Sequence, residues 1–215
     1  SHAVALSSGT SSLQLALKIF GVKSGDDVFC SDLTFVATAN AIKYLDANPI
    51  FIDSEDSSWN MCPKSLEMAF ESHTPKAVIV TDIYGQSANY NAIIQICSTY
   101  KVPIIEDAAE SLGAEYNGKK CGSFGEMSIL SFNGNKIITT SGGGMLLSNN
   151  KIYIEKARKL STQARENALH YEHTKLGYNY RMSNILAAIG RAQLISLDTY
   201  VQNRKKIFSY YYNNL

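Results

Sequence analysis

Residues 77–107 read AVIVTDIYGQSANYNAIIQICSTYKVPIIED. Ala77–Asp82 is an apolar, β-branched run that ends on a carboxylate. Asn91–Tyr100 carries helical spacing, and Pro103–Asp107 is a second apolar run that also ends on a carboxylate. Apolar runs without polar alternation indicate strands buried on both faces, the pattern of a parallel sheet covered by helices. Strand, helix, strand in that order is the repeating unit of such a sheet.

The same alternation extends outward in both directions. Toward the amino terminus the pattern predicts strands over Ala3–Ser7, Val28–Ser31 and Pro49–Asp53, separated by helices near Ser11–Phe20, Phe35–Leu45 and Pro63–Phe70. Beyond Glu110, residues 113–125 read as loop. Ser128–Phe132 and Met145–Ser148 read as further strands around a polar, glycine-rich stretch, 133–144. From Lys151 the chain turns helical, with helices near Ile152–Gln163, Met182–Leu197 and Tyr200–Tyr212 and a polar loop over Glu166–Tyr178. The fold class expected is α/β, a mostly parallel mixed sheet flanked by helices. Ligands of such sheets gather at the carboxyl ends of the strands, which directs attention to Ser8–Thr10, Asp32–Phe35, Asp82–Gly85 and Asp107–Glu110.

Composition sets outer bounds. The 215 residues are 45% apolar and 18% charged, enough to bury a core and unlike a disordered chain. No apolar run approaches the roughly 18–20 residues of a membrane span, and no signal peptide is visible, so a cytoplasmic protein with no membrane partner is expected. The four cysteines, Cys30, Cys62, Cys97 and Cys121, form no CxxC pair and indicate neither a zinc site nor a disulfide scaffold. Net charge is +1, which gives no support for a nucleic-acid binder. That figure hides a division. Residues 1–150 hold nine lysines, no arginine and fifteen acids, a net of −6, whereas residues 151–215 hold six lysines, five arginines and four acids, a net of +7. The basic segment is either a pair of solvated helices or a surface facing anions.

Three segments carry chemistry. Ser7–Ser12, between a strand and a helix, suits either a phosphate held by backbone amides at the helix start or a plain helix cap. Asp107 ends an apolar strand, where a buried carboxylate is either a helix N-cap or an arginine's partner, or else pairs with a protonated ring nitrogen. Lys136 sits in the polar loop SFNGNKIITTSGGG, residues 131–144, as a surface hairpin residue or as a Schiff-base lysine held against an aldehyde. His170-Tyr171-Glu172-His173 has the look of a metal motif but lacks a third ligand nearby, so no metal is expected.

Taken in order, SSGTSSLQLAL, DLTFVATANAI, IEDAAESLGAEYNGKKCGSFGEMSILSFNGNKIITTSGGGM and GYNYRMSNILAAIGRAQL resemble the sugar-nucleotide aminotransferase family of DegT/DnrJ/EryC1/StrS type, which uses pyridoxal 5'-phosphate (PLP) on the type I transferase fold. SFNGNKIITTSGGGM and STQARENALHYEHTKLGYNYR look closest to the branch serving UDP-N,N'-diacetylbacillosamine synthesis. The resemblance implies that 1–197 is the PLP-binding large domain and 198–215 the start of a helix leading to a C-terminal domain absent from these residues. It implies transfer of an amino group from L-glutamate to a UDP-linked 4-keto-6-deoxy-N-acetylhexosamine. Another dTDP- or GDP-keto sugar, or an idle PLP-binding regulator, is the alternative.

Roles follow for matching residues. Lys136 would bond the cofactor aldehyde and move the proton, and Asp107 would keep the ring nitrogen protonated. Gly9, Thr10 and Ser131 would hold the phosphate, with Phe35 stacked on the ring and Glu110 between cofactor and sugar. Asn179 would reach the phosphate of a partner subunit, making the active site a shared feature of a homodimer. Tyr178, Tyr180, Arg181 and His170 would lie near the bound sugar nucleotide. Many relatives read Gly-Glu-Gly-Gly where this chain has Ser141-Gly142-Gly143-Gly144, a change shared by the bacillosamine branch. A dehydrating branch replaces the lysine by histidine, so Lys136 argues for transamination.

Overall fold

The β-branched runs of the sequence form the middle of one seven-stranded sheet in the computed structural model, which describes all 215 residues. Its centre is β4 (Ala77–Thr81) and β5 (Ile104–Asp107), paired parallel with Thr81 opposite Asp107. On one side of them lie β2 (Asp27–Ser31) and β3 (Asn48–Ile52), also parallel. On the other lie β8 (Met127–Ser131), parallel to β5, then β9 (Gly144–Ser148) and β1 (His2–Leu6), each antiparallel to its neighbour. Two reversals restore direction, so β1 runs with the parallel strands and β9 alone runs against them. Leu6, Ser31, Thr81, Asp107, Ser131 and the first residue of β9, Gly144, therefore share one edge of the sheet.

Alternation along each strand divides the core. Val28, Cys30, Ala77 and Ile79 face α1 (Gly9–Ile19), α2 (Ala37–Lys43) and α5 (Lys151–Ser161). Phe29, Val78 and Val80 face the opposite way, against α3 (Pro63–Ala69) and α4 (Tyr90–Tyr100). Leu13, Leu15 and Leu17 of α1 are fully buried or nearly so, each contributing about 1.5–3 kcal/mol relative to an exposed side chain. Ser8 caps α1, its Oγ accepting from Ser11 N at 3.0 Å. This satisfies one of the orphan amides of the first turn and leaves the Gly9 and Thr10 N–H groups without an intrahelical acceptor.

Element boundaries differ from the sequence reading mostly by one to three residues. The real departure lies in 113–125, expected to be loop. Glu115–Tyr116 (β6) and Lys119–Lys120 (β7) pair there as a short hairpin. Its turn is Asn117-Gly118, with φ of 51° and 76°. Two adjacent positive φ values suit Asn-Gly, so the dipeptide was the available signal. The C-terminal helices α6 (Asn184–Leu194) and α7 (Leu197–Asn214) bury no residue fully. The start of α7 nevertheless packs through Leu197 and Tyr200 against a small cluster of Ala108, Leu130, Phe132 and Ile138. No helix is long and apolar enough to cross a membrane.

Candidate active site

The shared sheet edge holds a cavity of about 280 Å³. Its walls bring together Gly9 and Thr10 from the start of α1, Phe35 before α2, Asp107 and Glu110 after β5, Ser131 at the end of β8, and Lys136 from the following loop. These are seven of the residues expected from sequence to surround a cofactor, drawn from positions up to 127 residues apart and gathered by strand order alone.

Asp107 is 6% exposed. Its Oδ1 accepts from Ala109 N at 3.2 Å and its Oδ2 from the Thr38 hydroxyl at 3.1 Å. Burial pushes its carboxyl above the usual range, countered in part by those two donors and by Lys136. Thr38 Oγ1 lies 2.9 Å from Thr34 Oγ1, which lies 2.9 Å from Thr81 Oγ1. This row of hydroxyls behind Asp107 was missed in the sequence. No spacing marks it in the sequence, since Thr34 precedes the first residue of α2 and Thr81 ends β4.

Lys136 is largely covered, its side chain 15% exposed, and Nζ donates to Glu110 Oε1 at 3.3 Å. Glu110 Oε2 accepts from Tyr84 N at 2.8 Å. Tyr84 adopts φ 52° and ψ 24° to present that amide, a left-handed conformation unusual for a bulky residue. At the far end of the cavity a Cβ on Gly9 would stand 3.1 Å from Ser131 Cβ, so the two hydroxyls of Thr10 and Ser131 flank a close approach of helix and strand. A Cβ on Gly144 would stand 2.4 Å from the Ser8 carbonyl carbon, which explains a glycine at that junction.

The donor set fits PLP. A helix start with two uncommitted amides and two hydroxyls suits a phosphate. A buried carboxylate whose charge is disfavoured suits a protonated ring nitrogen, which would offset its burial. Phe35, 69% exposed on the wall, offers an aromatic face, and Lys136 an amine.

A family model described as the DegT/DnrJ/EryC1/StrS aminotransferase family matches residues 1–215. The chain belongs to that family. The family is PLP-dependent. Among curated relatives, EpsN of Bacillus subtilis strain 168, by its name a pyridoxal phosphate-dependent aminotransferase, is 57% identical over 99% of this chain and 56% of its own length. GDP-perosamine synthase of Escherichia coli O157:H7 is 39% identical over all of this chain and 58% of its own. The crystal structure of a family aminotransferase from Brucella abortus superposes with a TM-score of 0.92 at 32% identity, covering 98% of this chain and 58% of that one. The aminotransferase-family chain thus spans a little more than half the length of these relatives, and its fold is theirs.

The remaining expected residues lie away from the cavity. Tyr178 and Tyr180 stack on each other at 4.8 Å and pack against the core on the α1 side. The Tyr180 hydroxyl donates to Gln14 Oε1 at 2.6 Å, and its carbonyl accepts from Ser7 N at 2.8 Å. Asn179 and Arg181 are exposed, in isolated bridges to Thr162 and Leu6. His170 is exposed, 3.9 Å from Glu172, while His173 Nδ1 lies 2.8 Å from the Gln163 carbonyl. Within one chain, Tyr178 and Tyr180 therefore serve packing, outside the cavity that holds Lys136 and Asp107.

Proposed function

We propose that this chain forms the cofactor-binding part of an aminotransferase that moves an amino group from L-glutamate to a nucleotide-linked keto sugar. The single observation that carries the reading is the convergence of Lys136, Asp107 and the start of α1 on one cavity. Bound there, PLP supplies an electron sink for the carbon that loses its proton. Asp107 would keep the ring nitrogen protonated, with Thr38 and Ala109 fixing the carboxylate's orientation. Gly9, Thr10 and Ser131 would hold the phosphate, and Phe35 would offer an aromatic face to the ring. The Lys136 amine would take a proton from one carbon and return it to another, a role worth roughly 10²–10⁴ in rate. Glu110 keeps that amine over the cavity.

The finer reading is a UDP-linked 4-keto-6-deoxy-N-acetylhexosamine as acceptor and a homodimer in which Asn179 reaches the neighbour's phosphate, with Arg181 and His170 beside it. The likeness to GDP-perosamine synthase favours a GDP-linked keto sugar as the second reading. Full-length protein with PLP and glutamate, offered UDP- and GDP-linked 4-keto sugars, separates the two. The UDP substrate should be aminated with release of 2-oxoglutarate. Turnover of the GDP substrate alone would move the assignment to the second reading, and turnover of neither would overturn both.

A further inference from the structure

A second and larger cavity, of about 780 Å³, opens beside the first and shares Ala109, Glu110, Asn135 and Lys136 with it. Its volume is that of a small-molecule site. The outer wall is one face of α7. Val201, Arg204, Lys205 and Phe208 all line the cavity and follow the i, i+3, i+4, i+7 spacing of a single helical stripe. Val201 fixes that stripe in place. A Cβ on Gly113 would stand 2.6 Å from Val201 Cγ2, so the helix rests directly on the Gly113 backbone. The facing wall carries Tyr84, 70% exposed on its left-handed backbone.

The charge balance of this cavity is unequal. Glu110 is committed to Lys136 at 3.3 Å. Neither Arg204 nor Lys205 has a carboxylate within ion-pair distance. The other acid in the neighbourhood of Lys205 is Glu115, which is held by Lys120 at 2.6 Å. Two adjacent cations without partners thus face a space that opens onto Lys136. Flanking them, Tyr84 and Phe208 offer flat apolar surface.

We propose that Arg204 and Lys205 are the subsite for the diphosphate of the sugar nucleotide, with Tyr84 and Phe208 beside its base. Guanidinium and ammonium together match two linked phosphates, and the shared wall lets a sugar attached to them reach Lys136. The proposal rests on the nucleotide-sugar reading above and adds which residues hold the nucleotide's diphosphate. They are binding residues for the diphosphate, since the proton transfer is assigned to Lys136.

The test uses full-length, PLP-loaded protein and two probes, UDP and GDP, with binding followed by calorimetry. Wild-type protein should bind at least one of them. Arg204→Ala and Lys205→Ala should each weaken that binding about tenfold or more, the loss of a charge-assisted contact. Arg204→Lys should recover part of it. Glutamate-driven spectral conversion of the cofactor, measured on the same samples, should keep its rate and KM, which also reports that the variants are folded. Binding to wild type that the alanine variants retain would overturn the subsite while leaving the nucleotide-sugar reading intact. A raised KM for glutamate in the variants would reassign the two cations to the amino donor. Failure of both UDP and GDP to bind wild type would remove the nucleotide reading and the subsite with it.

Discussion

Asp107 shows how one residue's environment becomes chemistry. Its carboxylate has only two donors from the chain, at 3.1 and 3.2 Å, and it is buried. Each hydrogen bond to a charged group is worth about 1.5–3 kcal/mol. Thr38→Val removes one and should slow glutamate-driven conversion of the cofactor by roughly tenfold, with Thr38→Ser restoring the rate. An unchanged rate in the valine variant would show that the hydroxyl row through Thr34 and Thr81 does not support Asp107. Asp107 was legible as a site residue because a carboxylate at the end of an apolar strand needs a reason. Thr34, Thr38 and Thr81 were not legible, since threonine at a strand end or helix start is ordinary and their shared purpose exists only once β2, β4 and β5 lie side by side.

At the scale of elements, the cavity depends on how closely the start of α1 meets the start of β9. Gly144→Ala would set a methyl 2.4 Å from the Ser8 carbonyl carbon and 2.5 Å from Gly9 N, both rigid backbone. The first turn of α1 should shift and PLP affinity should fall about tenfold or more, measured by titrating the apoprotein. Gly134→Ala meets nothing within 4 Å and should leave affinity within about twofold. Equal losses in the two variants would show that the α1–β9 junction is not what shapes the phosphate end. Most elements were readable, because parallel strands buried on both faces are continuous apolar runs. The direction of β9 was not, since an apolar run reads alike in either direction. The β6–β7 hairpin escaped because two-residue polar strands carry no periodicity, although Asn117-Gly118 marked its turn.

Across the whole molecule, a buried acidic cluster behind the site sets how stability responds to pH. Asp82 accepts from Ala88 N, the Tyr90 hydroxyl and the Ser111 hydroxyl at 2.8–3.0 Å, with Glu106 and Cys121 close by. Burial, reinforced by the Glu106 charge, raises its pKa from 3.8 to about 7. The folded state then binds a proton that the unfolded state has lost between those values, so this group's contribution to stability is full below the unfolded pKa and disappears as pH rises through about 7. Thermal melts should therefore show Asp82→Asn gaining on wild type as pH is raised from 5 to 8. Parallel melting curves would mean that Asp82 is ionised throughout.

The division of charge seen in the sequence also acquires a location. The acidic first 150 residues supply the Lys136 cavity with amides, hydroxyls, two carboxylates and one lysine, while two cations of the basic segment, Arg204 and Lys205, line the space next to it. Arg181 is exposed and outside both cavities.

The role proposed for Lys136 is a covalent bond to the cofactor in this cavity. Borohydride reduction of full-length protein loaded with PLP, followed by peptide mass mapping, tests it most directly. A pyridoxyl phosphate adduct is expected on the peptide containing Lys136, absent when glutamate is added before reduction and absent in Lys136→Ala. An adduct on Lys119 or Lys120 with Lys136 unmodified, or no adduct at all, would contradict it.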